Sequence, residues 1–325
     1  MPSPHVPLAD LTIENELSAA TGDRRTSAQV YVSESPGVEC RLVSVEISEV
    51  ATYSTEFRAA YGLPDSGPVH LVGGGMAHGR AAVTPTGGRE QPVQALLRQA
   101  LDRAYDQGAY AMTPYAQLEL ATAAAPFLIS SQPAVDAWYT LPLQGATDLE
   151  SFLASLPRKA RGTWRHDLRT REELGVVSRC VPVAGHEDEY GRLLSSVEQR
   201  NGQPTSARVA AFRLKSLTVR QGEFFAIESR IADELVAVAV LCSSGRYLDG
   251  LSIGLASGMA GHRDLYHVAG YLATLEYGLD HGVELIGFGR SHHQPKKNRG
   301  CEAEPLSRLV YSTSPSELTA SKGPM

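Results

Sequence analysis

No apolar run in this chain approaches the ~20 residues that a bilayer-spanning helix needs, so no transmembrane segment is expected. Cysteine is sparse. The four present, Cys40, Cys180, Cys242 and Cys301, lie far apart and form no C-x-x-C pair. That spacing argues against a zinc cage or a disulfide framework and fits a reducing compartment. No Walker sequence occurs, which removes the usual signature of a phosphate-loop ligase. An excess of positive charge is missing too: the net charge is -6. A polyanion would therefore have to meet a local basic patch, since the whole molecule does not attract it. Residues 1–14 carry Pro4, His5, Asp10 and Glu14 without a basic-then-apolar signal, and a cytoplasmic location is expected.

What remains is the composition of a globular protein, 42% apolar and 20% charged over 325 residues. That length exceeds one core of ordinary size and fits about two domains. The residues themselves carry a repeat. Gly258-Met259-Ala260-Gly261-His262-Arg263 is echoed upstream, with two residues transposed, by Gly75-Met76-Ala77-His78-Gly79-Arg80. Each copy precedes a helix, a glycine stop and a strand. The later one reads as a helix over 265–281, Gly282 and a strand over 283–289; the earlier reads as a helix over 97–107, Gly108 and a strand from Ala109. Aligned, Leu101 falls on Leu275, Asp102 on Glu276, Asp106 on Asp280 and Gly108 on Gly282. A duplicated unit of helices and strands follows.

The rest of the chain has clear local patterns. Residues 1–27 read as an arm. Strands are expected over 28–32, 39–50 and 69–72, with β-branched and partly alternating residues. Pro92 suits a helix start. Residues 126–143 read as extended and 187–199 as an amphipathic helix. An antiparallel meander is expected over 224–231, 235–243 and 246–256, turning at Ala232-Asp233 and Ser244-Gly245. A meander followed by a helix and a further strand implies an α+β layer, a mostly antiparallel mixed sheet flanked by helices. The domain limits expected are 28–145 and 146–325.

Three stretches of the second half, Leu156 to Arg165, the helix ending at Asp280-His281-Gly282, and Lys296 to Glu302, resemble the FemABX family of aminoacyltransferases, which have two tandem GNAT-like acyltransferase domains. The first is Leu156-Pro157-Arg158-Lys159-Ala160-Arg161-Gly162-Thr163-Trp164-Arg165, similar to the family's L-x-x-K-x-R-x-x-x-R helix. The second is the long helix ending at Asp280-His281-Gly282. The third, Lys296-Lys297-Asn298-Arg299-Gly300-Cys301-Glu302, is similar to the family's K-x-x-R/F-G-x-E turn. In residues 1–140 the resemblance rests on the repeat alone.

The resemblance implies an acyltransferase forming an amide bond, from an aminoacyl-tRNA or acyl-CoA donor to a small amine or peptide-like acceptor, with no bound cofactor and no metal. It places Lys296 on the lysine that contacts the acyl donor, with Lys297 and Arg299 holding a phosphate. One departure bears on the donor. GNAT domains cradle the pyrophosphate of coenzyme A with Q/R-x-x-G-x-G/A, and Leu255 stands where the Arg or Gln belongs. Gly258 could still offer backbone donors, with Arg263 beside it.

Arg158, Arg161, Arg165 and Arg169 make one helical stripe beside a second stripe of Ala160, Trp164 and Leu168, and a basic stripe neutralises phosphates. A solvated face pairing with Asp167, Glu172 and Glu173 is the plainer reading. A base for the amine could be Asp249, Asp264 or Glu302, with Tyr266 donating to the leaving group. His292-His293 lacks a third metal ligand at suitable spacing. Cys301 reads as a buried cysteine more than as a nucleophile. Aminoacyl transfer from tRNA is the leading expectation. An acetyl-CoA-dependent N-acetyltransferase and a non-catalytic binding scaffold compete with it. The Ala, Gly and Arg richness fits a high-GC bacterium.

Overall fold

The computed structural model describes residues 27–34, 41–48, 69–72, 90–106, 108, 110–116, 118–202, 205–218, 224–244, 246–258, 262–290 and 292–312. The upstream loop Gly75 to Arg80 and residues 1–26 of the expected arm lie outside them. The chain divides into two compact units, one reaching Ala137 and resuming at Pro305, the other running Trp138–Glu304.

In the first unit, strands β1 (Ser27–Glu34), β2 (Arg41–Ser48) and β3 (Val69–Val72) form an antiparallel meander. Helix α1 (Glu90–Asp106) then leads to β4 (Tyr110–Ala116), which pairs parallel to β3. Helix α2 (Leu118–Ala124) follows. The buried face of α1, with Val93, Leu96, Leu97, Ala100, Leu101 and Ala104, repeats at helical spacing and packs with Val72, Ala111 and Leu120. Each large apolar side chain so enclosed contributes roughly 1.5–3 kcal/mol.

Strand β5 (Leu128–Pro142) carries the chain into the second unit. There follow α3 (Leu149–Ser155), α4 (Arg158–Leu174), β6 (Val176–Pro182), α5 (Glu187–Arg200) and α6 (Ala207–Thr218). The meander comes next, as β7 (Phe224–Ile231), β8 (Glu234–Ser244) and β9 (Tyr247–Leu255), with β6 antiparallel to β7. A long helix runs as α7 (His262–His267), a π turn (Val268–Leu272) and α8 (Ala273–Asp280). It ends before β10 (Leu285–Gly289), which lies parallel to β9 and antiparallel to β5. Helix α9 (His293–Asn298) and β11 (Glu302–Tyr311) are the last described elements.

The two strand orders correspond. Each unit has an antiparallel meander, a helix, a strand parallel to the last of the meander, and then an antiparallel neighbour. Gly108 at φ +62° and Gly282 at φ +64° occupy the same left-handed stop, each donating its N–H to the carbonyl three residues back, Tyr105 and Leu279. An L side chain is strained in that conformation.

The compact units divide at other places than the limits expected, 28–145 and 146–325. Strand β11 pairs antiparallel with β4, so the chain from Pro305 belongs with the first unit, and the second begins at Trp138. The physical reason is reciprocal strand use. The strand after β4 in sequence, β5, pairs with β10, while the strand after β10 pairs with β4.

Candidate functional site

Strands β9 and β10 pair in parallel only over Tyr247–Asp249 and Leu285–Gly287. Beyond that point β10 bulges toward β5, with Gly289 opposite Tyr139, while β9 runs on beside β8 to Leu255. The sheet therefore forks, and Asp249 and Gly287 are its vertex. Past the vertex, residues 250–253 of β9 become half-exposed. Asp249 is buried and its Oδ1 accepts a long hydrogen bond of 3.4 Å from the Tyr247 hydroxyl. A Cβ on Gly287 would overlap both of those oxygens. The glycine is what allows the carboxylate and the phenol to sit at the vertex.

One flank of this region is the helix after β9. Tyr271 packs against Phe288 of β10 at 4.9 Å and against Tyr266 at 6.0 Å. Tyr266 also meets His292, at 6.4 Å. Burial pushes the Tyr266 hydroxyl above its ordinary range, with Arg299 opposing, so it stays protonated and able to donate. His267 moves the other way, down to about 4, because burial and the cations Arg299 and Arg263 disfavour its charge against a weaker pull from Asp264. The π turn begins at the next residue; such turns are frequent at functional sites.

The expected basic turn is a short helix, α9, in which Lys296 is buried, as is Arg299 just past its end, while Lys297 is exposed. The buried Lys296 Nζ donates to the carbonyls of Gly289, at 2.9 Å, and Arg290, at 2.5 Å, and lies 5.4 Å from the Tyr139 ring centre. It fastens the end of β10. Arg299 is 2% exposed. Its Nε and Nη2 donate to the two oxygens of Asp167, both at 2.9 Å, and its Nη1 donates to Pro295 O. Tyr271 stacks at 4.6 Å, and the Trp164 indole donates to the Arg299 carbonyl.

Arg299, expected to hold a phosphate, is placed in the interior. Its guanidinium is enclosed and ties α9 to α4. The signal lay in Trp164 and Asp167, which are one turn apart on the buried face of α4.

Of the remaining expected residues, Lys297, Arg263 and Arg165 are exposed, as are Arg158 and Arg169, so the stripe on α4 faces solvent. Arg161 is half-buried and donates to Leu156 O. The inward stripe of α4 is Ala160, Trp164, Asp167 and Thr170, and Leu168 is only half-buried. Gly258 is exposed at φ +78°. Leu255, at the position of the GNAT Arg or Gln, is 1% exposed and packs with Val176, Val236 and Leu265.

Cys301 is buried, and its thiol is pushed up to about 12 by that burial, which leaves little thiolate for nucleophilic attack. Among the described residues no group of three His, Cys, Asp or Glu could hold a metal ion, and no helix is long and apolar enough to cross a membrane.

Three solved structures share this architecture over nearly the whole chain. FemX covers 98% of this chain and 95% of its own at 11% identity, with a TM-score of 0.62. The C-terminal domain of a protein assigned as a lysylphosphatidylglycerol synthetase in Agrobacterium fabrum covers 95% of both at 12% identity, with a TM-score of 0.59. L-PGS from Bacillus licheniformis covers 94% of both at 10% identity, with a TM-score of 0.58. No family model matches the chain, and no curated protein matches it in sequence. The likeness is one of fold, and the FemABX-like tandem architecture expected from the sequence is borne out.

Proposed function

We propose that this protein is an N-acyltransferase that forms an amide bond, moving an aminoacyl group from aminoacyl-tRNA to an amine of a peptide-like or cell-wall-precursor acceptor. The observation that carries the reading is the fork between β9 and β10, with a buried carboxylate at its vertex. An extended acyl chain can lie along a strand edge freed in this way. The likeness to the FemX fold supports it.

In this reading the acceptor nitrogen attacks the ester carbonyl of the donor, and a C–N bond forms. Asp249 takes the proton that the nitrogen sheds. The tetrahedral intermediate collapses by breaking the bond to the 3′ oxygen of the RNA, which takes a proton from the Tyr266 hydroxyl. Solvent returns the proton from Asp249 to Tyr266. Lys296 holds the end of β10 through Gly289 and Arg290, and so positions one edge of the fork. The exposed arginines of α4 give the RNA backbone a cationic face. No bound cofactor or metal is needed for this chemistry, and the cytoplasm is where charged tRNA is found.

An acyl-CoA donor is the second reading, and Gly258 in its left-handed turn favours it. Leu255 counts against it, because a buried leucine cannot supply the cation expected beside a pyrophosphate. The experiment is Asp249→Asn with a mass-spectrometric assay of the amide product. Loss of a general base lowers turnover by about a hundredfold or more while donor binding survives. Turnover at the wild-type rate contradicts the assignment.

A further inference from the structure

Both arms of the fork are touched by one turn of helix, the π turn Val268–Leu272. On the β9 side, the Gly270 backbone lies against Ile253, in the half-exposed stretch past the vertex. A Cβ on Gly270 would come within 2.6 Å of the Ile253 Cδ1. On the β10 side, the Tyr271 ring packs at 4.9 Å on Phe288, the residue after Gly287 of the vertex. Adjacent residues of the turn thus reach the two strands that part from each other.

The same turn decides what stands beside Tyr271. In a regular α-helix, residues five apart lie about 140° apart around the axis, so Tyr266 and Tyr271 would face different ways. A π turn takes up one more residue and brings the fifth neighbour back toward the same side. Here the Ala273 N–H donates five residues back, to Val268 O, and the buried Thr274 hydroxyl donates to Gly270 O at 3.0 Å. The two tyrosine rings accordingly meet edge to face, 6.0 Å apart and inclined at 66°. Tyr271 is fixed in turn: it is 3% exposed, and the Arg299 guanidinium lies 4.6 Å from its ring centre. Tyr266 is half-buried and closes against the apolar cluster of Leu255 and Leu265.

We propose that Tyr271 is a positioning residue for the Tyr266 hydroxyl, and that the π turn couples that hydroxyl to the two arms of the fork. This rests on the reading in which Tyr266 protonates the leaving oxygen. A shift of β10 at Phe288 is carried through Tyr271 to Tyr266, so the alignment of the proton donor follows the geometry of the fork. The titratable and charged groups around Tyr266 are Tyr271 and His267 on its own helix, His292 at the start of α9 and Arg299 beyond the end of α9.

The test is fluorine NMR of the full chain carrying fluorotyrosine, beside the amide-product assay, with the Tyr266 resonance assigned by its loss in Tyr266→Phe. Burial holds the Tyr266 hydroxyl above the ordinary tyrosine range against the pull of Arg299. Loss of the Tyr271 ring opens that hydroxyl to water, so its titration midpoint should fall in Tyr271→Leu. Turnover should fall about tenfold or more in the same variant, with KM little changed. Tyr271→Phe keeps the ring and should restore both readouts. Phe288→Ala, which frees Tyr271 from β10, is the second variant and should move the resonance the same way; thermal melts report that each variant is folded. Where Tyr266→Phe lowers turnover, adding Tyr271→Leu to it should lower turnover no further. A Tyr266 midpoint unmoved in the folded variants, or an additive loss in that double variant, overturns the proposal. Wild-type turnover in Tyr266→Phe would instead remove the acyl-transfer role of Tyr266, and the midpoint alone then decides the positioning.

Discussion

Arg299 and Asp167 meet through two parallel hydrogen bonds of 2.9 Å, each side chain only 2% exposed, and so join the turn after β10 to the helix α4. Burial pushes the Asp167 carboxyl up while the Arg299 guanidinium pulls it back down. Desolvation makes such a pair costly to form and more costly to break, because a lone partner is left charged in the interior.

The consequence is a stability phenotype at what reads, in sequence, as a phosphate-binding arginine. Arg299→Ala should destabilise the protein by about 3–5 kcal/mol, and Asp167→Asn should also be strongly destabilising. Arg299→Lys should rescue only part, since an ammonium cannot reproduce the two-pronged contact. Urea denaturation measures this. A folded Arg299→Ala variant of wild-type stability with weakened phosphate binding would restore the role that the enclosed guanidinium denies it.

A second prediction concerns pH. The His267 imidazole titrates at about 4 in the folded protein, below its ordinary 6.5, chiefly through burial and then through Arg299 and Arg263. Between those two values the unfolded chain binds more protons than the folded one. Stability should therefore fall as pH is lowered through 6.5 toward 4, and His267→Gln should flatten that part of the profile. The check is the difference in urea midpoint between wild type and variant at pH 7 and at pH 5. An unchanged difference would remove His267 as the source.

Much of the fold was legible because its signals are local. The meander over 224–256 alternates and turns at Ala232 and Asp233, both at positive φ, and the observed strands differ from expectation by a residue or so at each end. Gly108 and Gly282 marked the repeat because only a left-handed stop needs glycine there. Strand β11 was hidden, since its partner β4 lies almost 200 residues earlier and no local pattern encodes that pairing. Helix α6 and strand β6 were missed for want of strong periodicity.

At the site, Asp249 and Tyr266 could be picked out as chemical types, whereas the vertex itself depends on the β9–β10 register and on Gly287. Arg299 reads as a surface cation in sequence because it sits in a short basic segment. Its burial depends on Trp164, Asp167 and Tyr271 arriving from two other helices.

The cations of the two basic segments should separate in kinetics. Lys296→Ala frees the carbonyls of Gly289 and Arg290 and should loosen the end of β10, lowering kcat by on the order of a hundredfold as the fork loses its geometry. Arg165→Ala, on the exposed stripe of α4, should mainly raise KM for the RNA donor, and the effect should shrink as salt rises. Steady-state kinetics at two ionic strengths distinguishes them. A salt-independent loss of kcat in Arg165→Ala would place that residue at the chemistry.

The donor is the centre of the account, and one measurement reaches it directly. Purified protein is incubated with charged tRNA and an amine acceptor, and amide product is quantified by mass spectrometry with and without prior RNase treatment, beside a parallel reaction containing acetyl-CoA and no RNA. Product that forms from charged tRNA without coenzyme A and disappears on RNase treatment is the predicted result. Turnover with acetyl-CoA alone, unaffected by RNase, would contradict it and make the protein a coenzyme A-dependent acetyltransferase on the same fold.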